Sequence, residues 1–177
     1  MESISDQVNR HPTKKVFIGY GDTAIFNTLN IMKDIIKKSA SNYYVRRWAE
    51  KLTENYKNKI DKVKSIFDFI GRNTSYLSDP HKLELLKTPL VSLKELENGE
   101  RPQLDCDDFT ILSLSLLKSI GFPVAIKAIS TNNKKRFTHV YGLVFVNKKW
   151  IPVDLTRPDY GFKWEYNKPT RITELEI

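Results

Sequence analysis

Three side chains able to perform nucleophilic catalysis occur in a fixed order in this chain. Cys106, the only cysteine, stands at the start of an apolar helical pattern, and His139 and Asp154 follow in two strand-like runs. A thiol attacks a carbonyl as the thiolate, and both a helix N-terminus and a neighbouring imidazole favour that form. A carboxylate that accepts a hydrogen bond from the other ring nitrogen fixes the tautomer of the imidazole. The order Cys, His, Asp therefore predicts acyl transfer at an amide carbonyl.

A two-residue turn between the strand-like runs can bring the imidazole and the carboxylate together. Asn147-Lys148 separates the two runs, which predicts a hairpin in which residue 139 pairs near residue 156. His139 and Asp154 are then diagonal neighbours on one face of the sheet. The hairpin therefore predicts a contact between the base and the acid of a triad.

The residues around Cys106 affect both the ionisation of its thiol and the binding of an oxyanion. Asp107 and Asp108, in the first helical turn, suit the helix dipole, but they also place negative charge beside a thiolate. The sequence alone therefore does not determine the pKa of the Cys106 thiol. The backbone N–H of Cys106 and the side-chain amide of Gln103 are the candidate donors to the oxyanion of a tetrahedral intermediate.

Each of these residues also has an interpretation without catalysis. A lone cysteine in an apolar helix is usually a small core residue, and a lone strand histidine is usually structural. The other histidines, His11 and His81, adjoin prolines in loop-like contexts, and we expect neither to contact the cysteine. No CxxC or HxxxH spacing supports a metal site, so the sequence predicts neither a metal nor another cofactor.

The elements that must position these side chains are helices first and strands afterwards. Apolar residues recur at helical spacing in four segments, and strand-like runs follow the last of them. The connection 73–105 is predicted to be mostly loop, with short helical turns near 81–86 and 92–97, and to form a wall of the site. The aromatic tail after Pro158 is a candidate edge strand. This order indicates an α+β fold. The predicted helices are 23–38, 43–57, 60–71 and 106–119, and the predicted strands are 124–130, 137–146 and 149–155.

Length and composition fit a globular chain of one domain, or of one domain with an appended segment. The 177 residues are 40% hydrophobic and 28% charged, and the single cysteine fits a reducing compartment. No apolar run approaches the roughly 20 residues of a membrane span. The N-terminus shows no signal peptide. We therefore expect a protein without a membrane span or a secretory leader.

Basic residues are unevenly distributed along the chain. The net charge is +8, and residues 1–72 carry 14 Lys and Arg against 8 Asp and Glu, whereas residues 73–177 carry 15 against 13. A basic N-terminal surface could bind nucleic acid, an acidic partner or an anionic polymer. The basic residues stand at helical spacing rather than in a block, which is also typical of a solvated lysine-rich surface.

Several short motifs occur in a fixed order between residues 60 and 157. They are VKSIFDFI at 63–70, Tyr76, Asp79-Pro80, DCDD at 105–108, Leu116-Leu117, Gly121, His139-Val140-Tyr141 and WIPVD at 150–154. In these motifs the chain resembles the transglutaminase-like superfamily, which shares its catalytic core with papain-type enzymes. By this resemblance Cys106 matches the nucleophile, His139 the base and Asp154 the acid that orients the base.

The resemblance also implies a fold and a division of the chain. The fold is a helical layer, with the cysteine on a central helix, packed on a small antiparallel sheet. Residues 59–177 would form this core, and residues 1–58 an N-terminal arm and helical extension. Two departures are visible: acids flank the cysteine, and no calcium-loop pattern appears, so calcium-dependent crosslinking is not supported.

One subset of the superfamily is most similar to this chain. The Asp-Cys-Asp-Asp form, together with an upstream set of residues, is similar to members encoded by tailed bacteriophages. This implies a virion or tail-module origin, with virion or tail proteins as partners and a location in the cytoplasm or the virion. The basic helices could then bind an anionic polymer such as cell-wall polymer or phage DNA. The upstream residues are Tyr76, Asp79-Pro80, Glu84 and Thr88-Pro89.

Three hypotheses of function follow. The first is a cysteine acyl-transfer enzyme that acts on a protein or peptide amide. It is a peptidase or amidase if water is the acceptor, and a transglutaminase if an amine is. The second is a virion-associated structural or assembly protein with a weak or vestigial site on the same fold. The third is a nucleic-acid-binding module, and it rests on charge alone.

Overall fold

The computed structural model describes residues 21–78, 85–131 and 136–177, and in them helices precede an antiparallel sheet. This confirms the α+β fold predicted from the sequence. The helices are α1 Gly21–Ala40, α2 Tyr43–Thr53, α3 Lys59–Asn73, α4 Pro89–Glu97 and α5 Cys106–Ser119. The strands are β1 Ser75–Tyr76, β2 Gln103–Leu104, β3 Val124–Ser130, β4 His139–Val146, β5 Lys149–Val153 and β6 Arg171–Glu176, and a 3-10 turn spans Pro158–Tyr160.

Helix α5 is the central helix of the fold, and its bounds are those predicted. Every residue from Asp107 to Leu117 is buried, because the apolar residues extend around the whole helix. The helix begins where Asp105, its N-cap, accepts hydrogen bonds from the backbone N–H groups of Asp107 and Asp108 at 3.0 and 3.1 Å. Helices α1 to α4 and strands β3 and β4 all pack against it.

The surrounding helices are amphipathic and bury one face each. Asn42 and Asn58 cap α2 and α3 by accepting a hydrogen bond from a backbone N–H of the first turn. Helix α1 buries Leu29, Met32 and Ile36 at helical spacing, in the same core as α5. Helix α2 ends at Thr53, four residues before the predicted end at 57. Within the described part of the chain, no helix is long and apolar enough to cross a membrane.

The four-stranded sheet has the order β5-β4-β3-β6, with every neighbouring pair antiparallel. The turn between β4 and β5 lies at Asn147 and Lys148, as predicted, and both have positive φ, 52° and 65°. Two such residues form the tight hairpin turn that matches strand twist. Gly142 lets β4 approach α5, since a Cβ there would lie 2.6 Å from Leu114 Cδ2.

The last strand lies further along the chain than the aromatic tail suggested. Strand β6 pairs with β3, whereas the aromatic residues before it pack by their rings. Tyr160 and Trp164 stack with ring centroids 4.7 Å apart, and Phe162 contacts Phe67 on α3 with centroids 5.5 Å apart. The tail therefore contributes packing at 160–166 and a strand only afterwards.

The connection before α5 contains more structure than the sequence predicted. Its second predicted turn, near 92–97, is the helix α4, which starts at Pro89 after Thr88. Strands β1 and β2 pair in parallel through Ser75–Gln103 and Tyr76–Leu104, which places Tyr76 beside the start of α5. The other predicted turn, near 81–86, lies largely outside the described residues.

Candidate active site

Cys106 and His139 lie at one cavity beside the N-terminus of α5. Cys106 is the first residue of the helix and is partly buried. Both side chains line a cavity of about 360 Å³ that opens to solvent. A cavity of this size lies in the range of small-molecule and peptide sites. The other described residues that line it are Ala24, Ile25, Thr28, Leu29, Met32, Tyr76, Ser78, Asp105, Asp107, Ala128, Phe137, Thr138 and Val140.

His139 and Asp154 form the contact that the hairpin register predicts. The observed pair Gly142–Val153 extends to place residue 139 near residue 156, and His139 Nε2 lies 2.7 Å from Asp154 Oδ2. The carboxylate is buried, with 1% of the side chain exposed. Because Nε2 is engaged by Asp154, Nδ1 is the ring nitrogen that can exchange a proton with a thiol.

Thr156 fixes the second oxygen of the buried carboxylate. Asp154 Oδ1 accepts hydrogen bonds from the backbone N–H of Thr156 at 3.1 Å and from its hydroxyl at 2.7 Å. Both oxygens of Asp154 are therefore bonded, so the carboxylate can hold the imidazole in one orientation. Thr156 was not predicted as a site residue, although an Asp side chain commonly accepts a hydrogen bond from the residue two positions later.

The thiol of Cys106 is in a strongly anionic environment. Burial, then the carboxylates of Asp107 and Asp105, raise its pKa well above the ordinary value, and a hydrogen bond from the backbone of Val140 opposes this only in part. The nearest acid is Asp107, whose Oδ1 lies 3.6 Å from Sγ. The resting thiol is therefore protonated near neutral pH, so forming the thiolate at this site would require a base nearby.

Tyr76 lies at the cavity, and Gln103 does not. Tyr76 lines the cavity with about half of its surface exposed, and burial together with the charges of Cys106 and Asp105 raises the pKa of its hydroxyl. It therefore remains a neutral O–H donor beside the thiol. Gln103, described on β2, is exposed and is not among the residues that line the cavity. The oxyanion role of its side chain stays a prediction.

A chain of contacts behind His139 was not predicted from the sequence. The imidazole stacks on the ring of Tyr141, with centroids 5.6 Å apart. The Tyr141 hydroxyl donates to Glu165 Oε1 at 2.8 Å, and Lys127 Nζ lies 2.7 Å from the same oxygen. The only local signal was the position of Tyr141 two residues after His139, on the same face of the strand.

Among the residues that the structure describes, no group of three or more His, Cys, Asp and Glu side chains could hold a metal ion. His11 and His81, the other two candidate bases, lie outside the described residues. Asp105 caps the start of α5, and Asp107 Oδ1 lies 3.6 Å from the thiol sulfur.

Comparison with known proteins identifies the family. The sequence model of the transglutaminase-like superfamily matches residues 46–155, which is more than half of the chain and includes the cysteine, the histidine and the aspartate. Among curated proteins, none matches this chain in sequence.

Two solved structures share the fold. One is a candidate cysteine protease from Cytophaga hutchinsonii, with 16% identity and a TM-score of 0.54 over 83% of this chain and 56% of that one. The other is a candidate protease from Parabacteroides distasonis, with 18% identity and a TM-score of 0.59 over 72% of this chain and 26% of that one. The chain therefore spans about half of the first protein and about a quarter of the second.

Proposed function

Because the chain belongs to the transglutaminase-like superfamily, we propose that it is a cysteine acyl-transfer enzyme that acts on amide bonds. The observation that carries this proposal is the pair His139–Asp154, at 2.7 Å, beside a cavity that also holds the thiol of Cys106. The proposal assigns Cys106 as the nucleophile, His139 as the base and Asp154 as the orienting acid, and it is supported by the His139–Asp154 contact and by the cavity that Cys106 and His139 share.

The residues have the following roles in the proposed reaction. His139 Nδ1 takes the thiol proton while Sγ of Cys106 bonds to the carbonyl carbon, and the carboxylate of Asp154 stabilises the imidazolium that forms. The backbone N–H of Cys106 and the hydroxyl of Tyr76 are the proposed donors to the oxyanion. When the tetrahedral intermediate collapses, the C–N bond breaks and His139 returns its proton to the leaving amine, which leaves a thioester on Cys106.

The acceptor of the acyl group decides the reaction class. Attack of water on the thioester, with His139 as base, releases a carboxylic acid and makes the protein a peptidase or amidase. Attack of an amine forms a new amide and makes it a transglutaminase. We propose a protein or peptide amide as the substrate, such as an isopeptide bond or a peptide bond of peptidoglycan. Residues 59–177 are the proposed core and residues 1–58 its extension.

A second candidate function is favoured by one observation, the raised pKa of the Cys106 thiol. A thiol that stays protonated suits a virion or tail-associated assembly protein of a tailed phage that retains the fold with a weak or vestigial site. In this proposal the partners are virion or tail proteins, an anionic polymer binds the basic helices, and the protein lies in the cytoplasm or the virion. Normal assembly with Cys106→Ala would support it.

The test of the enzyme proposal is the pH dependence of Cys106 alkylation by iodoacetamide, followed by intact mass. Because the chain has one cysteine, the mass change reports this site alone. We expect His139→Ala to react about 10²-fold more slowly than the native protein at pH 7, because it lacks the base that takes the thiol proton. Equal profiles for the two folded proteins would reject the enzyme proposal.

A further inference from the structure

One wall of the cavity beside Cys106 comes from a helix that precedes the family match. Helix α1 spans Gly21–Ala40, whereas the match begins at residue 46. The side chains of Ala24, Ile25 and Thr28 on this helix line the cavity. This wall is therefore an addition to the part of the chain that carries the triad.

The helix is fixed in place by its second half. Leu29, Met32 and Ile36 are buried in the main core, with 5%, 0% and 0% of their surfaces exposed. Ile25 lies one turn before Leu29 and Thr28 one turn before Met32, and Ala24 lies one turn before Thr28 on the same side of the helix. Because the buried half anchors α1 against α5, these residues form a fixed part of the cavity lining.

Strand-side residues add apolar surface to the cavity and contact α1. Phe137, only 8% exposed, lies edge-on to Phe26 of α1 with centroids 6.5 Å apart, and the guanidinium of Arg171 lies 4.6 Å from the Phe137 ring centroid. Ala128 and Val140 also line the cavity. The lining contributed by α1 and by these residues is thus mostly apolar.

The polar end of the cavity is acidic. Asp105 and Asp107 line it, and of the described residues in the lining none is Lys or Arg. A substrate carboxylate next to the scissile bond would lie among these acids and against apolar walls, which is unfavourable on both counts. An aliphatic or aromatic group has no such cost and gains by burial.

We propose that the substrate places an apolar side chain, next to the carbonyl that Cys106 attacks, in the cavity that α1 and Phe137 both line. In this proposal α1 sets the specificity of the enzyme, and substrates with an acidic residue at that position are rejected. The inference rests on the proposed function, since it assigns the substrate class of the same site.

The test uses peptidyl acyloxymethyl ketones that differ only in the residue beside the electrophile: Leu, Gly or Asp. The rate constant for labelling Cys106 is measured by intact mass with the full chain. We expect the Leu probe to react at least tenfold faster than the Gly probe, and the Asp probe to be the slowest. Equal rates for the three probes would overturn the inference.

Two variants that fill the space make the test specific for α1. Thr28→Leu and Ala24→Leu should each lower the Leu-to-Gly rate ratio at least fivefold, and this ratio cancels changes in thiol reactivity. Asn30→Leu is the matched control, because Asn30 is exposed on the same helix, and it should keep the native ratio. An unchanged ratio in both folded filling variants would reject the role of α1.

Failure of the specificity proposal can be distinguished from failure of the enzyme proposal. If His139→Ala slows alkylation by iodoacetamide while the three probes react alike, the enzyme proposal stands and the specificity proposal fails. If native protein and His139→Ala are alkylated alike, the enzyme proposal fails, and the probe ratios then report only the shape of the cavity.

Discussion

The imidazole of His139 lies nearly parallel to the ring of Tyr141, with centroids 5.6 Å apart and planes 29° apart. Tyr141 is 1% exposed and donates its hydroxyl to Glu165, which Lys127 also contacts. The stack therefore links the proposed base to the C-terminal segment, which lies beyond the residues that match the family.

This stack predicts that Tyr141 positions His139. Tyr141→Leu should slow the His139-dependent alkylation of Cys106 by up to about tenfold, the worth of an aromatic pair, whereas Tyr141→Phe should keep that rate. Phe145→Leu, at a half-exposed aromatic residue on the same strand, is the matched control. Two-dimensional NMR of the His139 ring separates positioning from general destabilisation. An unchanged His139 resonance and rate in Tyr141→Leu would contradict the role.

The buried carboxylate of Asp154 predicts that replacing it by an amide of the same shape greatly slows the reaction of Cys106. Asp154→Asn keeps the shape of the side chain. If the amide nitrogen takes the place of Oδ2, it donates a hydrogen bond to Nε2 of His139 instead of accepting one from Nε2–H. The imidazole is then held in the wrong tautomer. We expect labelling by the Leu probe to fall about 10³-fold or more.

Thr156→Val is the comparison for Asp154→Asn. It removes the 2.7 Å hydroxyl contact to Oδ1 but keeps the carboxylate. The loss should be far smaller, since one hydrogen bond to a charged group contributes about 1.5–3 kcal/mol. Equal losses in the two variants would mean that the charge of Asp154 has no special role.

The acids beside Cys106 predict the direction in which the thiol pKa moves. Asp107 lies 3.6 Å from Sγ, and its charge opposes the thiolate. Asp107→Asn should therefore lower the thiol pKa and speed alkylation by iodoacetamide at pH 8. The pKa is read from the absorbance of the thiolate near 240 nm, with Cys106→Ala as the blank. A thiol pKa that rises in Asp107→Asn would contradict this account.

A second acid tests the same account with the helix cap preserved. Asp105→Asn removes a charge that also raises the thiol pKa, and asparagine caps a helix about as well as aspartate. We expect a smaller fall in the thiol pKa than in Asp107→Asn, because Asp105 is the weaker of the two influences. Thermal unfolding of both variants shows whether the helix start is intact.

The elements that could be predicted from the sequence are those determined by residues close together in the chain. Helix α5 follows from its apolar pattern, and the hairpin with its Asn147-Lys148 turn fixes the register that joins His139 to Asp154. Local patterns are sufficient here, because a turn of two residues leaves one register that buries the apolar face.

The rest depends on contacts between distant segments. The pairing of Tyr76 with Leu104 and the contact of Tyr141 with Glu165 join segments 28 and 24 residues apart, and no local period marks either. The presence of Ile25 in the lining of the cavity likewise results from the packing of α1 on α5. Single-sequence periodicity reports which face of an element is buried, but not which element covers it.

Asp108 predicts a change of stability with pH. Burial raises the pKa of this carboxyl to about 7, even though it accepts a 2.6 Å hydrogen bond from the backbone N–H of Lys87. The folded state therefore holds a proton that the unfolded state releases near pH 4, so this group stabilises the fold below pH ~4 and that stability is lost as the pH rises to about 7. The slope is about 1.4 kcal/mol per pH unit.

Asp108→Asn should remove this slope, because an amide does not titrate and its oxygen can still accept from Lys87. The free energy of unfolding in urea, measured between pH 4.5 and pH 8, is expected to fall less steeply for the variant than for the native protein. At pH 8 the variant should be the more stable of the two, since it no longer carries a buried charge. Asp61→Asn, at an exposed acid in the first turn of α3, is the control and should keep the native slope. If the free energy of unfolding depends on pH in the same way for native protein and Asp108→Asn, Asp108 is ionised throughout this range. Its burial then adds no pH dependence to the stability.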